Sequence, residues 1–182
     1  AVLPILAATV LNGGINVIKN CPKLKDVEIA LEILRRIGCK ISVEGDTTII
    51  DSSTINETKI PVDLAAEMRS SIIFMGPMLA RCGKVTISYP GGCEIGPRPI
   101  DLHLKALRSM GAKINDAQRG FIYAEADGLK GCDIMLDFPS VGATENAMLA
   151  SVFADGETYI RNAAKEPEIV DLQNFLVSIG VD

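Results

Sequence analysis

The chain has 182 residues, 48% of them hydrophobic and 23% charged, which places it among ordinary globular sequences able to bury one substantial core. Aromatic residues make up only 4% and Trp is absent, so Ile, Leu, Val, Ala and Met must fill that core. A net charge of -5 excludes broad electrostatic attraction to nucleic acid or an anionic membrane, and the longest apolar stretches, 3–11 and 71–80, fall well short of the roughly 20 residues of a bilayer span.

The chain opens at Ala1 without Met and runs straight into an apolar helix over 4–11, so its start reads as cut. A strand from Ile15 follows, then a helix with apolar residues at Val27, Leu31, Leu34 and Ile37 that Gly38 terminates. Residues 40–44 and 47–50, joined by Gly45-Asp46, form the pattern of a hairpin. The unit then repeats. A second apolar helix over 65–81 leads to a strand at 85–88, a helix ended by Gly111, and another strand pair around Arg119-Gly120. A third apolar helix over 143–154 leads to a strand at 158–162 and a helix ended by Gly180, where the chain again reads as cut. Helices without a polar face belong inside, so the apolar three are expected to be surrounded by strands and outer helices; the alternative is one buried helix and two at interfaces.

The middle copy is longer than the others because of the Gly/Pro-rich stretch 89–99, and such a loop on a repeated scaffold is where function is placed. It offers the Cys93 thiol, the Arg98 guanidinium and the backbone amides of Gly91, Gly92 and Gly96, with the start of a helix just downstream. An anion fits these groups, and a cation beside a cysteine favours its thiolate. Spacing alone leaves open whether Cys93 is catalytic or a loop cysteine without a role. The glycines match neither a P-loop nor a dinucleotide-binding fingerprint. The five cysteines form no C-x-x-C pair and fit reduced thiols in a cytoplasmic protein, with Cys21, Cys39, Cys82 and Cys132 expected to be buried and structural. His103 is the only histidine, which excludes a His-rich metal site. Glu166 and Glu168 flank Pro167 before a helix and read as capping groups rather than an acid/base pair.

Four motifs carry a resemblance. Pro90-Gly91-Gly92-Cys93-Glu94-Ile95-Gly96-Pro97-Arg98-Pro99-Ile100-Asp101-Leu102-His103 resembles the catalytic loop of the UDP-N-acetylglucosamine enolpyruvyl transferases. Met68-Arg69-Ser70-Ser71, Phe138-Pro139-Ser140-Val141-Gly142-Ala143-Thr144-Glu145-Asn146 and Ala163-Ala164-Lys165-Glu166-Pro167-Glu168-Ile169-Val170-Asp171 resemble further motifs of that family, in its order. The resemblance implies an α/β fold, an inside-out α/β barrel of three repeated units with central helices and a truncated third unit. It makes 1–182 a single domain, the catalytic-loop-bearing one of a two-domain enzyme, lacking the second domain and a Lys-Asn pair before Ala1. The implied reaction transfers the enolpyruvyl group of phosphoenolpyruvate to the 3'-hydroxyl of UDP-N-acetylglucosamine and releases phosphate, with no metal or organic cofactor.

By the same resemblance Cys93 is the catalytic cysteine alkylated by fosfomycin, and Arg69, Cys93 and Arg98 bind phosphoenolpyruvate. Arg69, Arg98, Pro99, Ile100, Asp101, Leu102, Phe138, Pro139, Ser140, Val141 and Gly142 bind UDP-N-acetylglucosamine. Arg69 lies on an otherwise apolar helix, where a structural ion pair is the alternative role. Phe138 and Pro139 stand where some relatives carry Lys and a small apolar residue. Two rivals are a shikimate-pathway enolpyruvyl transferase, which lacks this cysteine loop, and a non-catalytic nucleotide-sugar binding module. Neither nucleic acid nor membrane is an expected partner.

Overall fold

A computed structural model describes residues 1–89, 100–116 and 120–182. The first unit consists of α1 (Val2–Asn12), β1 (Ile15–Ile18), α2 (Lys25–Arg36), β2 (Lys40–Glu44) and β3 (Thr47–Asp51). β3 lies between β1 and β2 and pairs antiparallel with both, Val17 opposite Ile49 and Ile49 opposite Ser42. The second unit repeats this order with α3 (Val62–Glu67), α4 (Met75–Cys82), β4 (Lys84–Ser88), α5 (Asp101–Ser109), β5 (Lys113–Asn115) and β6 (Phe121–Glu125). Here β6 is the central strand, again antiparallel to both neighbours. The third set is β7 (Asp133–Met135), α6 (Val141–Ser151), β8 (Tyr159–Arg161) and α7 (Pro167–Ser178), with β7 and β8 parallel. Lys59 makes a parallel bridge to Thr86, so the segments before and after the inner helix run alongside each other in the second unit as in the third.

α1, α4 and α6 pack on one another at the centre, as their lack of a polar face predicts. Leu6, Phe74, Met75 and Met78 are fully buried there, each burial worth about 1.5–3 kcal/mol relative to exposure. Gly38, Gly111 and Gly180 all have positive φ after an outer helix, confirming the expected stop signal of each unit.

The expected helix over 65–81 is corrected: it is broken. α3 ends before Met68, whose backbone is extended; residues Arg69–Phe74 form a 3-10 stretch, and α4 restarts at Met75. Pro77 accounts for the restart at Met75, because inside a continuous helix its ring would meet the Ile73 carbonyl and it has no N–H to donate, whereas in the first turn of a new helix neither matters. The break carries Arg69 and Ser70 to the mouth of a cavity. Two other expectations change. Cys21 and Cys39 are buried, but Cys82 and Cys132 are only half-buried. Glu166 occupies the N-cap position of α7 without its side chain bonding the helix amides, so its capping role is one of position alone.

Candidate functional site

Three chain segments converge at the N-terminus of α6. Ser140 begins the helix: its Oγ accepts from the Ala143 amide at 3.3 Å, and its carbonyl accepts from the Thr144 amide at 3.0 Å and the Thr144 hydroxyl at 2.8 Å. The Val141 and Gly142 amides have no partner among the described residues, leaving two donors at the positive end of the helix dipole. The approach to Ser140 is tied to α5 by Lys105, whose Nζ bonds both Asp137 oxygens at 2.7 and 2.8 Å. Ser140 also donates its amide to the Phe138 carbonyl at 2.7 Å, which turns the chain into the helix.

These groups open onto a cavity of about 430 Å³ whose wall includes Arg69, Ser70, Ile100, Ser140, Gly142 and Glu145. Four residues expected from the sequence thus meet here, Arg69, Ile100, Ser140 and Gly142. Asp101, Leu102 and Val141 flank the wall, with Asp101 exposed in the first turn of α5. Phe138 is 64% exposed and Pro139 is exposed, both outside the cavity lining. Cys93, Arg98 and Pro99 lie outside the described residues. Arg69 is half-buried and belongs to none of the ion pairs among the described residues. A larger cavity of about 760 Å³ sits at the opposite end of α6, walled by Leu11, Ser151, Phe153 and Tyr159, and contains none of the expected site residues.

Behind the wall lies a polar hub that sequence reasoning did not assign to the site. Asn146 on α6 is wholly buried; its Oδ1 accepts from the Gly76 amide at 2.6 Å, and its Nδ2 donates to the Ile72 carbonyl at 2.9 Å and faces His103 Nδ1 at 3.1 Å. One side chain therefore joins the start of α4, the 3-10 stretch and α5. A Cβ at Gly76 would collide with the Asn146 carbonyl and lie 2.5 Å from its Oδ1, so only glycine allows this approach. The available signal was Thr144-Glu145-Asn146, a polar triplet inside an otherwise apolar helix, because a buried polar group must be paired.

Glu145 borders the cavity at 8% exposure. Burial pushes its carboxyl up to about 7, and the Glu168 carboxylate adds to the rise. Between the ordinary value of 4.5 and about 7 the folded chain keeps a proton that the unfolded chain has released. The resulting stability is full below pH 4.5 and lost as pH rises to about 7. Glu145→Gln should therefore gain on the unsubstituted chain as pH rises. Urea midpoints measured at about pH 5 and about pH 8 should show a variant advantage that grows with pH; equal differences at both would show that Glu145 is already ionised.

The EPSP synthase (3-phosphoshikimate 1-carboxyvinyltransferase) family model matches residues 1–182, and the chain belongs to that family. Among curated relatives it is 56% identical over 180 residues to UDP-N-acetylglucosamine 1-carboxyvinyltransferase 2 of Caldanaerobacter subterraneus subsp. tengcongensis, covering 99% of this chain and 43% of the relative. It is 48% identical over 182 residues to UDP-N-acetylglucosamine 1-carboxyvinyltransferase of Cellvibrio japonicus, with coverages of 99% and 43%. The chain thus spans well under half the length of these relatives. Among solved structures, the enolpyruvyl transferase NikO from Streptomyces tendae matches with a TM-score of 0.85 at 21% identity, over 99% of this chain and 42% of that one. EPSP synthase from Acinetobacter baumannii matches with a TM-score of 0.62 at 20% identity, over 90% of this chain and 38% of that one. These likenesses establish the enolpyruvyl transferase fold.

Proposed function

We propose that the protein to which this chain belongs transfers the enolpyruvyl group of phosphoenolpyruvate to the 3'-hydroxyl of UDP-N-acetylglucosamine, releasing phosphate for cytoplasmic synthesis of peptidoglycan precursors. The observation that carries this reading is the meeting of Arg69, Ile100, Ser140 and Gly142 around one cavity at a helix N-terminus. The family name points to shikimate 3-phosphate as the alternative acceptor. The 56% identity to a UDP-N-acetylglucosamine enzyme, against 20% to an EPSP synthase structure, favours the nucleotide sugar. In this reading the chain is the loop-bearing half of an inside-out barrel enzyme, and a second domain closes the site.

The chemistry follows from the groups assigned. The acceptor oxygen attacks C2 of phosphoenolpyruvate while a proton goes to C3, giving a tetrahedral intermediate that carries the phosphate. Loss of a proton from C3 then re-forms the double bond as the C2–O bond to phosphate breaks, the electron pair leaving with phosphate. Cys93 handles the proton at C3 or holds the substrate covalently. Arg69 and Arg98 neutralise the phosphate and carboxylate, and the free amides at the start of α6 take the diphosphate of the nucleotide. Titration of the complete protein with UDP-N-acetylglucosamine and with shikimate 3-phosphate tests the reading. Saturable binding of the first alone is expected; preference for the second would overturn it.

Thiol chemistry gives a second check. Burial pushes Cys39 up to about 11 and raises Cys82 and Cys132 as well, so these thiols stay protonated and slow. Cys21 is buried. A limiting alkylating reagent at neutral pH should therefore modify Cys93 first, by peptide mapping, and Cys93→Ser should abolish the fast phase. Faster reaction at any other cysteine would refute the assignment of an activated thiol.

A further inference from the structure

Glu145 is 8% exposed one turn into α6, and its side chain borders two cavities, the one of about 430 Å³ and a neighbour of about 480 Å³. It belongs to no ion pair or side-chain hydrogen bond among the described residues. The neighbouring cavity has apolar walls, formed by Leu3 from α1, Leu24 and Val27 around the start of α2, and Ile73 from the 3-10 stretch. A second carboxylate, Glu168 in the first turn of α7, is half-buried on the same wall. Among the described residues Lys25 is the only basic side chain lining this cavity, and it is exposed and engaged with Glu67 at 3.6 Å. Two carboxylates against apolar walls are left without a counter-charge, and burying a carboxylate in that way is costly.

From this arrangement we infer that the cavity of about 480 Å³ is a docking pocket for a basic side chain supplied by the part of the protein outside residues 1–182, with Glu145 and Glu168 as its counter-charges. The chain covers only 43% of the relative from Caldanaerobacter, which leaves a large remainder to supply the group. A Lys or Arg side chain suits the walls: its methylene stem packs on Leu3, Val27 and Ile73 while its charged head reaches the carboxylates. A divalent cation suits them poorly, since two carboxylates fall well short of the roughly six oxygens it takes. Without the basic group, burial and Glu168 hold the Glu145 carboxyl up at about 7, whereas a cation beside it favours the carboxylate. The charged and titratable groups facing Glu145 are Glu168 from α7, Asp26 and Lys25 from α2, Arg69 from the 3-10 stretch and His103 from α5. The inference depends on the remainder of the protein and not on which acceptor the protein uses.

The test is a titration of the complete protein. Carbon-13 spectra of its glutamate carboxyls, with Glu145 assigned by difference against Glu145→Gln, should show Glu145 ionised from about pH 5.5 to about pH 8. Stability gives a second readout. A carboxyl held below its ordinary value contributes stability that is present above that value and lost only in stronger acid. In urea midpoint, Glu145→Gln should therefore gain nothing on the unsubstituted protein between about pH 5 and about pH 8, opposite to the growing advantage expected of the chain alone. A Glu145 carboxyl that stays protonated up to about pH 7, or a Gln advantage that grows with pH, would overturn the inference. An ionised Glu145 that regains its proton near pH 7 in Lys25→Met would give the role to Lys25 and overturn it as well. If the Gln variant does not fold, Glu145→Asp serves for the assignment and the titration still decides. Failure of the protein to use UDP-N-acetylglucosamine would leave both readouts unmoved and bear only on the function proposed above.

Discussion

Asn146→Leu should lower the unfolding free energy by about 3–5 kcal/mol, because three buried polar groups lose their partner at once. The Gly76 amide, the Ile72 carbonyl and His103 Nδ1 are each satisfied by this one side chain. Leucine offers similar volume and no hydrogen-bonding atom, so the loss isolates the polar term from cavity formation. Surface ion pairs provide the contrast. Removing Lys130 from its exposed pair with Asp155 should cost no more than about 1 kcal/mol. Urea unfolding of both variants checks the difference. A loss below about 1 kcal/mol for Asn146→Leu would mean that the hub is not formed or that water replaces it.

A larger functional effect is expected when this chain is assayed without the rest of the protein. The chain alone, supplied with phosphoenolpyruvate and UDP-N-acetylglucosamine, should release phosphate at least about 10⁴-fold more slowly than the complete protein. Its cavity is walled on the side formed by Arg69, Ser140 and Gly142, whereas the reaction needs charge stabilised in a site closed to water. The chain covers only 43% of the relative from Caldanaerobacter, and the remainder supplies the opposite wall in the function proposed. A phosphate-release assay on the purified chain measures this directly. Turnover approaching that of the complete protein would show that the necessary groups all lie within these 182 residues.

Much of the fold was legible because it depends on local signals. The i, i+3, i+4 pattern of α2, the turn at Gly45-Asp46 and the stop glycines Gly38, Gly111 and Gly180 each specify a local backbone, and each was read correctly. The break between α3 and α4 was missed because apolar composition continues through it. Pro77 was the available sign, and its meaning depends on where the new helix starts. The site was legible to a different degree. Motif order pointed to Arg69, Ile100, Ser140 and Gly142, which line one cavity, but not to the interior pairing beside it. That pairing joins Asn146 to Gly76 and His103, residues far apart in the chain, and no local period encodes it. Buried polar residues within a nonpolar helix were the trace it left. Phe138 shows the converse, since a motif position can be matched by order while its side chain stands exposed beside the cavity.

The most direct test of the central claim is acceptor-dependent phosphate release by the complete protein, measured with phosphoenolpyruvate fixed and either UDP-N-acetylglucosamine or shikimate 3-phosphate added. The account predicts release with UDP-N-acetylglucosamine, loss of at least about a hundredfold in kcat/KM for Arg69→Ala, and no acceptor-dependent release with shikimate 3-phosphate. Release driven by shikimate 3-phosphate, or full activity in the Arg69→Ala variant, would contradict it.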